Sequence, residues 1–318
     1  MKRLIGRHIN GYPLDKLLRQ NGIQAYFQAT HRQKIEPLCV KVLRLDQETL
    51  VNSHFKQQFN AHMHNLSRVR HPRILSILDS GITDEVCYVV TPLVDTVTLA
   101  DVMEDGALSV ERSLAIFTQI ADCIADLHRE GIVHGALSPY SIHFDENDRV
   151  LIDDLGMIFH QTLDSTSATI ITGNYGYIAP ESLRNPSLTP AVDIYGLGLL
   201  LYIMLTGEVI STPASKLSVD TLFQPYIQPL PEQANTSSTQ NWLNTTIMQA
   251  LDADPMKRPQ SVEAMQEALA NRISATMPMV REKPGLPREL QPILGAGIIL
   301  VVAMLAIWVM FAVGINWG

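Results

Sequence analysis

Two short stretches, close together in the chain, constrain this protein more than any other feature. The first is His134-Gly135-Ala136-Leu137-Ser138-Pro139-Tyr140-Ser141-Ile142. It follows a segment in which Leu114, Phe117, Ile120, Ile124 and Leu127 recur at helical spacing, which predicts a helix buried along one face. The second is Val150-Leu151-Ile152-Asp153-Asp154-Leu155-Gly156, an apolar run closed by acids and a glycine. Taken alone, Asp154 reads as a turn-forming residue before a glycine.

The rest of the chain supplies further fixed points. Residues 12 to 45 read as strands with turns. Within them Leu38-Cys39-Val40-Lys41-Val42-Leu43 is an apolar run broken by one lysine, a charge that is costly to bury unless it is paired. Residues 54 to 70 place Phe55, Phe59, Met63, Leu66 and Val69 at helical spacing, and His71-Pro72-Arg73-Ile74 stops that helix. His62 and His64 stand two apart on it and point to different sides, so they do not suggest a metal site. Residues 74 to 104 alternate strand and turn signals, with Asp79-Ser80-Gly81 read as a turn before Val86-Cys87-Tyr88-Val89-Val90. Residues 211 to 240, rich in Ser, Thr, Pro, Gln and Asn, read as an irregular insertion. Cys39, Cys87 and Cys123 form no C-x-x-C and lie in apolar runs, as small buried hydrophobes do.

Taken in order, these features resemble the motifs of the protein-kinase fold. His134 to Ser141 stands where that family has H-R-D-L-x-x-x-N, and Asp154-Leu155-Gly156 where it has D-F-G. Leu38-Cys39-Val40-Lys41 resembles V-A-I-K, whose lysine grips the α- and β-phosphates of ATP. Thr91-Pro92-Leu93-Val94 resembles the hinge, with Val94 offering the N–H that an adenine takes. Gly173 to Glu181 is similar to G-T-x-x-Y-x-A-P-E, with Asn174 at the Thr. By the same resemblance Glu181 and Arg258 form the ion pair that pins the large lobe, and Asp193 braces the catalytic loop.

The resemblance covers about residues 12 to 273 and is to the eukaryotic-like serine/threonine kinases of bacteria. It implies an α+β, bilobal protein-kinase-like fold with a β-rich N-lobe and a helical C-lobe. It implies a nucleotide site using Lys41, Val94 and Asp154, with Asp154 as metal ligand. The catalytic positions depart from the family. Ala136 replaces the base, Ser138 the loop lysine, Ser141 the second metal ligand, and His62 the glutamate that pairs with the lysine. Asp145 and Asp153 are nearby carboxylates, neither in the base's place. The three glycines of the phosphate loop fall on Arg19, Asn21 and Gln24, and Tyr26 and His143 replace aliphatic residues on the two faces of the adenine pocket. The expectation is a pseudokinase that binds ATP and magnesium weakly or not at all, and that acts as a scaffold or allosteric regulator. Its partners would be active kinases, phosphoproteins or membrane machinery. The alternative is a divergent active kinase that transfers the ATP γ-phosphate to protein hydroxyls.

The net charge of −8 excludes the basic surface of a nucleic-acid binder. The N-terminus lacks the apolar core of a signal peptide. Residues 274–292, with Pro278, Pro284, Pro287 and Pro292, read as a stiff linker. Residues 293–315 carry no charge and are long enough for one C-terminal transmembrane helix. Arg281, Lys283 and Arg288 precede that run and no basic residue follows it, so the kinase-like domain is expected on the cytoplasmic side of a single-pass membrane protein.

Overall fold

Strand Leu38–Leu43 is buried at all six positions, and its two faces serve different ends. Side chains alternate along a strand. Leu38, Val40 and Val42 join Leu14, Phe27, Tyr88 and Val90 in one apolar cluster. Cys39 and Lys41 point the other way, and Cys39 lines a cleft. The computed structural model describes residues 2–21, 23–30, 36–164, 167–171, 175–183, 188–208 and 238–276.

In chain order the elements are β1 (His8–Ile9), β2 (Tyr12–Pro13), β3 (Lys16–Asn21), β4 (Gln24–Ala29), β5 (Leu38–Leu43), α1 (Gln47–Val51), α2 (Ser53–Leu66), β6 (Asp79–Ile82), β7 (Cys87–Pro92), β8 (Val97–Thr98), α3 (Leu99–Val102), α4 (Val110–Arg129), β9 (Ile142–Phe144), β10 (Val150–Ile152), β11 (Phe159–Asp164), β12 (Ser167–Ile171), α5 (Pro190–Thr206), α6 (Ser238–Ala250) and α7 (Val262–Thr276). Five strands form an antiparallel sheet in the order β3-β4-β5-β7-β6. Helix α2 begins at Asn52, whose side chain accepts from the N–H groups of His54 and Phe55, and it buries Phe55, Phe59, Met63 and Leu66. Val69, expected in this helix, lies past its end and is buried all the same.

The helical part is built on α4 and α5. Ser109 caps α4 by accepting from Arg112 N at 3.1 Å. The buried face of α4 carries Ile116, Phe117, Ile120, Ile124 and Leu127, while Leu114 is only half-buried. Helix α5 is buried continuously from Val192 to Met204 and packs between α4 and α6, the position of a helix that is apolar all round. The short sheet β8-β9-β10 carries the two loops that follow α4. This is the expected bilobal arrangement of a β-rich part followed by a helical part.

Three expectations need correction. Asp79-Ser80-Gly81 is not a turn but part of β6, paired with β7, and the turn lies at Thr83–Val86, where Thr83 N donates to Val86 O at 2.8 Å. Glycine is required at 81 because a Cβ there would stand 2.7 Å from the Tyr88 hydroxyl oxygen. The tail of the expected insertion, 238–240, is the first turn of α6, and residues 209–237 lie outside the described residues. The transmembrane helix is also corrected. Among the described residues no helix is long and apolar enough to cross a membrane. The expected linker from residue 277 and the expected span 293–315 lie outside them. The single-pass topology, cytoplasmic placement and membrane partners that rested on that span are therefore withdrawn. Chain contacts divide the protein into Met1–Arg272 and Ile273–Gly318, and the second unit is described only as far as Thr276.

Candidate functional site: the cleft beside the sheet

Three residues stand in register across three strands. Tyr26 of β4 pairs with Arg19 of β3 on one side and with Lys41 of β5 on the other. Cross-strand neighbours share a face of the sheet, and this face looks onto the cleft. The Arg19 guanidinium lies 4.0 Å from the Tyr26 ring centre and 5.1 Å from that of Tyr140. Its Nη1 donates to Tyr140 O at 3.0 Å, which ties the sheet to the loop after α4.

The acidic doublet Asp153-Asp154 answers this row. Lys41 Nζ donates to Asp153 Oδ1 and stands 2.9 Å from Asp154 Oδ1, without the alignment of a hydrogen bond to the latter. The Tyr26 hydroxyl donates to Asp154 Oδ2 at 2.8 Å, and Arg19 Nη2 is 3.9 Å from the same oxygen. Lys41 and Asp154 are each 1 % exposed. Burial alone would push the Lys41 ammonium down, but the two carboxylates hold it above its ordinary value. Burial would likewise push Asp154 up, and the charges of Lys41 and Arg19 outweigh it, so its carboxyl is held below the usual range. Asp154 takes a left-handed backbone, φ 61°, which costs a non-glycine residue about 1–2 kcal/mol. The contacts at both of its oxygens hold it there.

The loop after α4 is braced as expected. Asp193 accepts from His134 N at 2.8 Å, from Gly135 N at 2.7 Å and from His128 Nε2 at 2.8 Å. His134 is fully buried; its Nε2 donates to Asp153 O and its Nδ1 accepts from Ala136 N, which fixes one neutral tautomer. The Glu181–Arg258 pair forms as expected and is bidentate, at 2.6 and 2.7 Å, with the Arg258 side chain fully buried. Between these supports, position 136 presents a methyl group. Ser141 Oγ donates to Ser138 O at 2.9 Å and accepts from Ser138 N at 3.0 Å, so its hydroxyl is spent within its own loop.

His62 does not partner Lys41. Its Nε2 donates to Gly156 O at 3.1 Å, its ring meets Phe159 edge-on at 5.8 Å, and burial pushes its pKa down. The partner that the helix fails to supply comes from Asp153 instead. That contact ties one Asp153 oxygen to the ammonium. Asp145 is spent on a turn, accepting from Asn147 N, Arg149 N and Arg149 Nε. The sequence signal for the Lys41–Asp153 pair was the acidic doublet itself.

The cleft has a volume of about 660 Å³, within the usual range for a small-molecule site. Val94, Tyr26, His143 and Asp153 line it, so the expected hinge and adenine-pocket residues come together. His143 Nδ1 lies 3.0 Å from Thr96 Oγ1, and burial pushes the ring's pKa down. Of the three phosphate-loop positions, the Asn21 side chain lies outside the described residues, and so does Asn174 of the Gly173 to Glu181 stretch.

This arrangement defines a class. A family model described as the protein kinase domain matches residues 22–270, and the chain belongs to that family. The serine/threonine-protein kinase PrkC of Bacillus subtilis is 28 % identical over 277 residues, covering 86 % of this chain and 42 % of that protein. The serine/threonine-protein kinase PknB of Mycobacterium tuberculosis is 28 % identical over 268 residues, covering 81 % and 42 %. The chain thus spans about two fifths of the length of these curated relatives. Among solved structures, the M. tuberculosis PknI kinase domain superposes with a TM-score of 0.63 at 22 % identity, covering 84 % of this chain and 98 % of that one. The expectation of a membrane-anchored scaffold is corrected: the chain carries a kinase-fold domain related to bacterial serine/threonine kinases, and among the described residues no helix is long and apolar enough to cross a membrane.

The family implies a divalent metal held by Asp154 and by the residue at 141. The residues present do not fit it. Magnesium needs oxygen ligands at about 2.0–2.1 Å in octahedral array. Asp154 Oδ2 takes the Tyr26 hydroxyl, Oδ1 faces the Lys41 ammonium, and Ser141 is turned inward. Among the described residues no group of three or more His, Cys, Asp or Glu side chains is placed to hold a metal ion.

Proposed function

We propose that this chain is a divergent serine/threonine protein kinase that takes ATP in the cleft and transfers its γ-phosphate to protein hydroxyls slowly. The observation that carries the reading is the cleft: an opening of about 660 Å³ that brings the hinge at Val94 together with Arg19 and Asp153. The intact frame supports it, because Asp193 still braces the loop in which the substrate hydroxyl would be positioned. Positioning and electrostatics supply most of phosphoryl-transfer catalysis. General-base assistance adds about 10²–10⁴-fold, and Ala136 supplies none, so the rate is lowered by at least that factor.

The test is transfer from γ-labelled ATP to a generic serine- and threonine-rich protein, with thermal shift as the binding readout. Cys39 lines the cleft, so Cys39→Phe fills it from the sheet side while leaving every charged group in place. Slow label transfer and an ATP-dependent shift, both lost in Cys39→Phe, support the reading. Transfer that survives Cys39→Phe in a folded protein, or no ATP-dependent shift in the unaltered chain, overturns it.

A further inference from the structure

Resting on the reading above, we infer that the cleft takes a nucleoside polyphosphate without a divalent cation, Arg19 standing where the cation would link Asp154 to the phosphates. In its relatives' fold a metal ion bridges the carboxylate of the metal loop to the phosphate oxygens and offsets their charge. Arg19 meets the geometric requirement from the protein's own side. Its guanidinium faces Asp154 Oδ2 at 3.9 Å, and its side chain is 27 % exposed where it lines the cleft. Tyr26, Tyr140 and the Tyr140 carbonyl hold it in place. A guanidinium has five N–H donors in a planar fork matched to phosphate. One of Arg19's hydrogen bonds goes to Tyr140 O, which leaves others for a ligand.

Lys41 cannot take that part. It is 1 % exposed, it already faces two carboxylates, and it is not among the residues lining the cleft. A dication placed on Asp154 Oδ1 would be driven against the Lys41 ammonium 2.9 Å from that oxygen. Among the described residues Lys16 also lines the cleft and adds positive charge beside Arg19. Three carboxylates line it as well: Asp153 is paired with Lys41, Asp101 accepts from Thr98 in the cap of α3, and Asp95 is exposed. The cleft therefore offers phosphate a fixed guanidinium, while at the metal-loop position both Asp154 oxygens are engaged and Ser141 is turned into its own loop.

The experiment measures ATP affinity of the full chain by calorimetry and thermal shift, once in EDTA and once in magnesium. The expected result is binding in EDTA that magnesium does not tighten. Arg19→Gln removes a charge-assisted contact and should weaken binding about ten- to a hundredfold in both conditions. The unliganded melting temperature of Arg19→Gln checks that it folds; if it does not, the EDTA comparison on the unaltered chain still decides. Binding that requires magnesium, or is tightened tenfold or more by it, overturns this inference alone. So does undiminished affinity in folded Arg19→Gln. Binding in neither condition overturns the ATP-binding reading, and this inference falls with it.

Discussion

Lys41 Nζ and Asp154 Oδ1 stand 2.9 Å apart in a site where each residue is 1 % exposed. Removing one partner of a buried pair leaves an uncompensated charge, at a cost of about 3–5 kcal/mol. Lys41→Met leaves the Asp153 carboxylate without its cation and Asp154 with only Arg19 and the Tyr26 hydroxyl. It should lower the free energy of unfolding by about 3 kcal/mol or more, read as a lower urea midpoint at unchanged slope. A loss below about 1 kcal/mol would show the pair to be solvated in solution. Lost activity in a Lys41 variant of this chain would therefore report instability before chemistry.

Asp193 serves two buried backbone donors at once, His134 N and Gly135 N. Each buried donor left unsatisfied costs about 1–3 kcal/mol. Asp193→Ala should destabilise the domain by about 3 kcal/mol in chemical denaturation. Asp193→Asn keeps one acceptor oxygen and should lose less. Equal losses in the two variants would mean that charge, rather than the bonds to the loop, is what Asp193 supplies.

Ala136 occupies the base position between the braced His134 and Leu137, and it is 8 % exposed. If slow transfer reflects the missing base, Ala136→Asp should raise the rate of label transfer by about a hundredfold. ATP affinity should stay unchanged. A restored carboxylate with no gain in rate would place the limitation at phosphate positioning instead.

Stability should fall as pH drops below about 6.5. His62, His134 and His143 all have their pKa lowered from 6.5, in each case first by burial. Above pH 6.5 they are neutral in both folded and unfolded chains. Below it the unfolded chain takes up protons that the folded one refuses, so the stabilisation is lost as pH falls. Each contributes up to about 1.4 kcal/mol per pH unit. A second loss begins below pH 3.8, as Asp154, held below that value in the fold, is protonated first in the unfolded chain. Urea midpoints measured from pH 8 to pH 3 check both steps. A flat profile between pH 8 and pH 5 would contradict the first.

Much of this architecture was legible in the sequence, because it rests on residues whose role is local and whose spacing is fixed. Asp193, Glu181 and Arg258 were read in the roles they hold, and the helix faces of α2 and α4 followed from periodicity. Arg19 was read only as a lost glycine. Its place in the cleft depends on a register shift in β3 between Leu17 and Arg19, which decides which side chains share a face with Tyr26. No spacing rule announces such a shift. The partner of Lys41 was sought on α2, at His62, but came from the acidic doublet far along the chain. That choice depends on how closely the Gly156 carbonyl approaches His62, a tertiary relationship rather than a sequence one.

The sealing of Lys41 beneath Tyr26 has a practical consequence. An acylating reagent modifies an amine only in its neutral form, through the free electron pair on nitrogen. Here the Lys41 amine is held above its ordinary pKa, is 1 % exposed and is paired with two carboxylates. An acylating reagent delivered through the cleft would therefore leave Lys41 unmodified, whatever nucleotide the cleft holds.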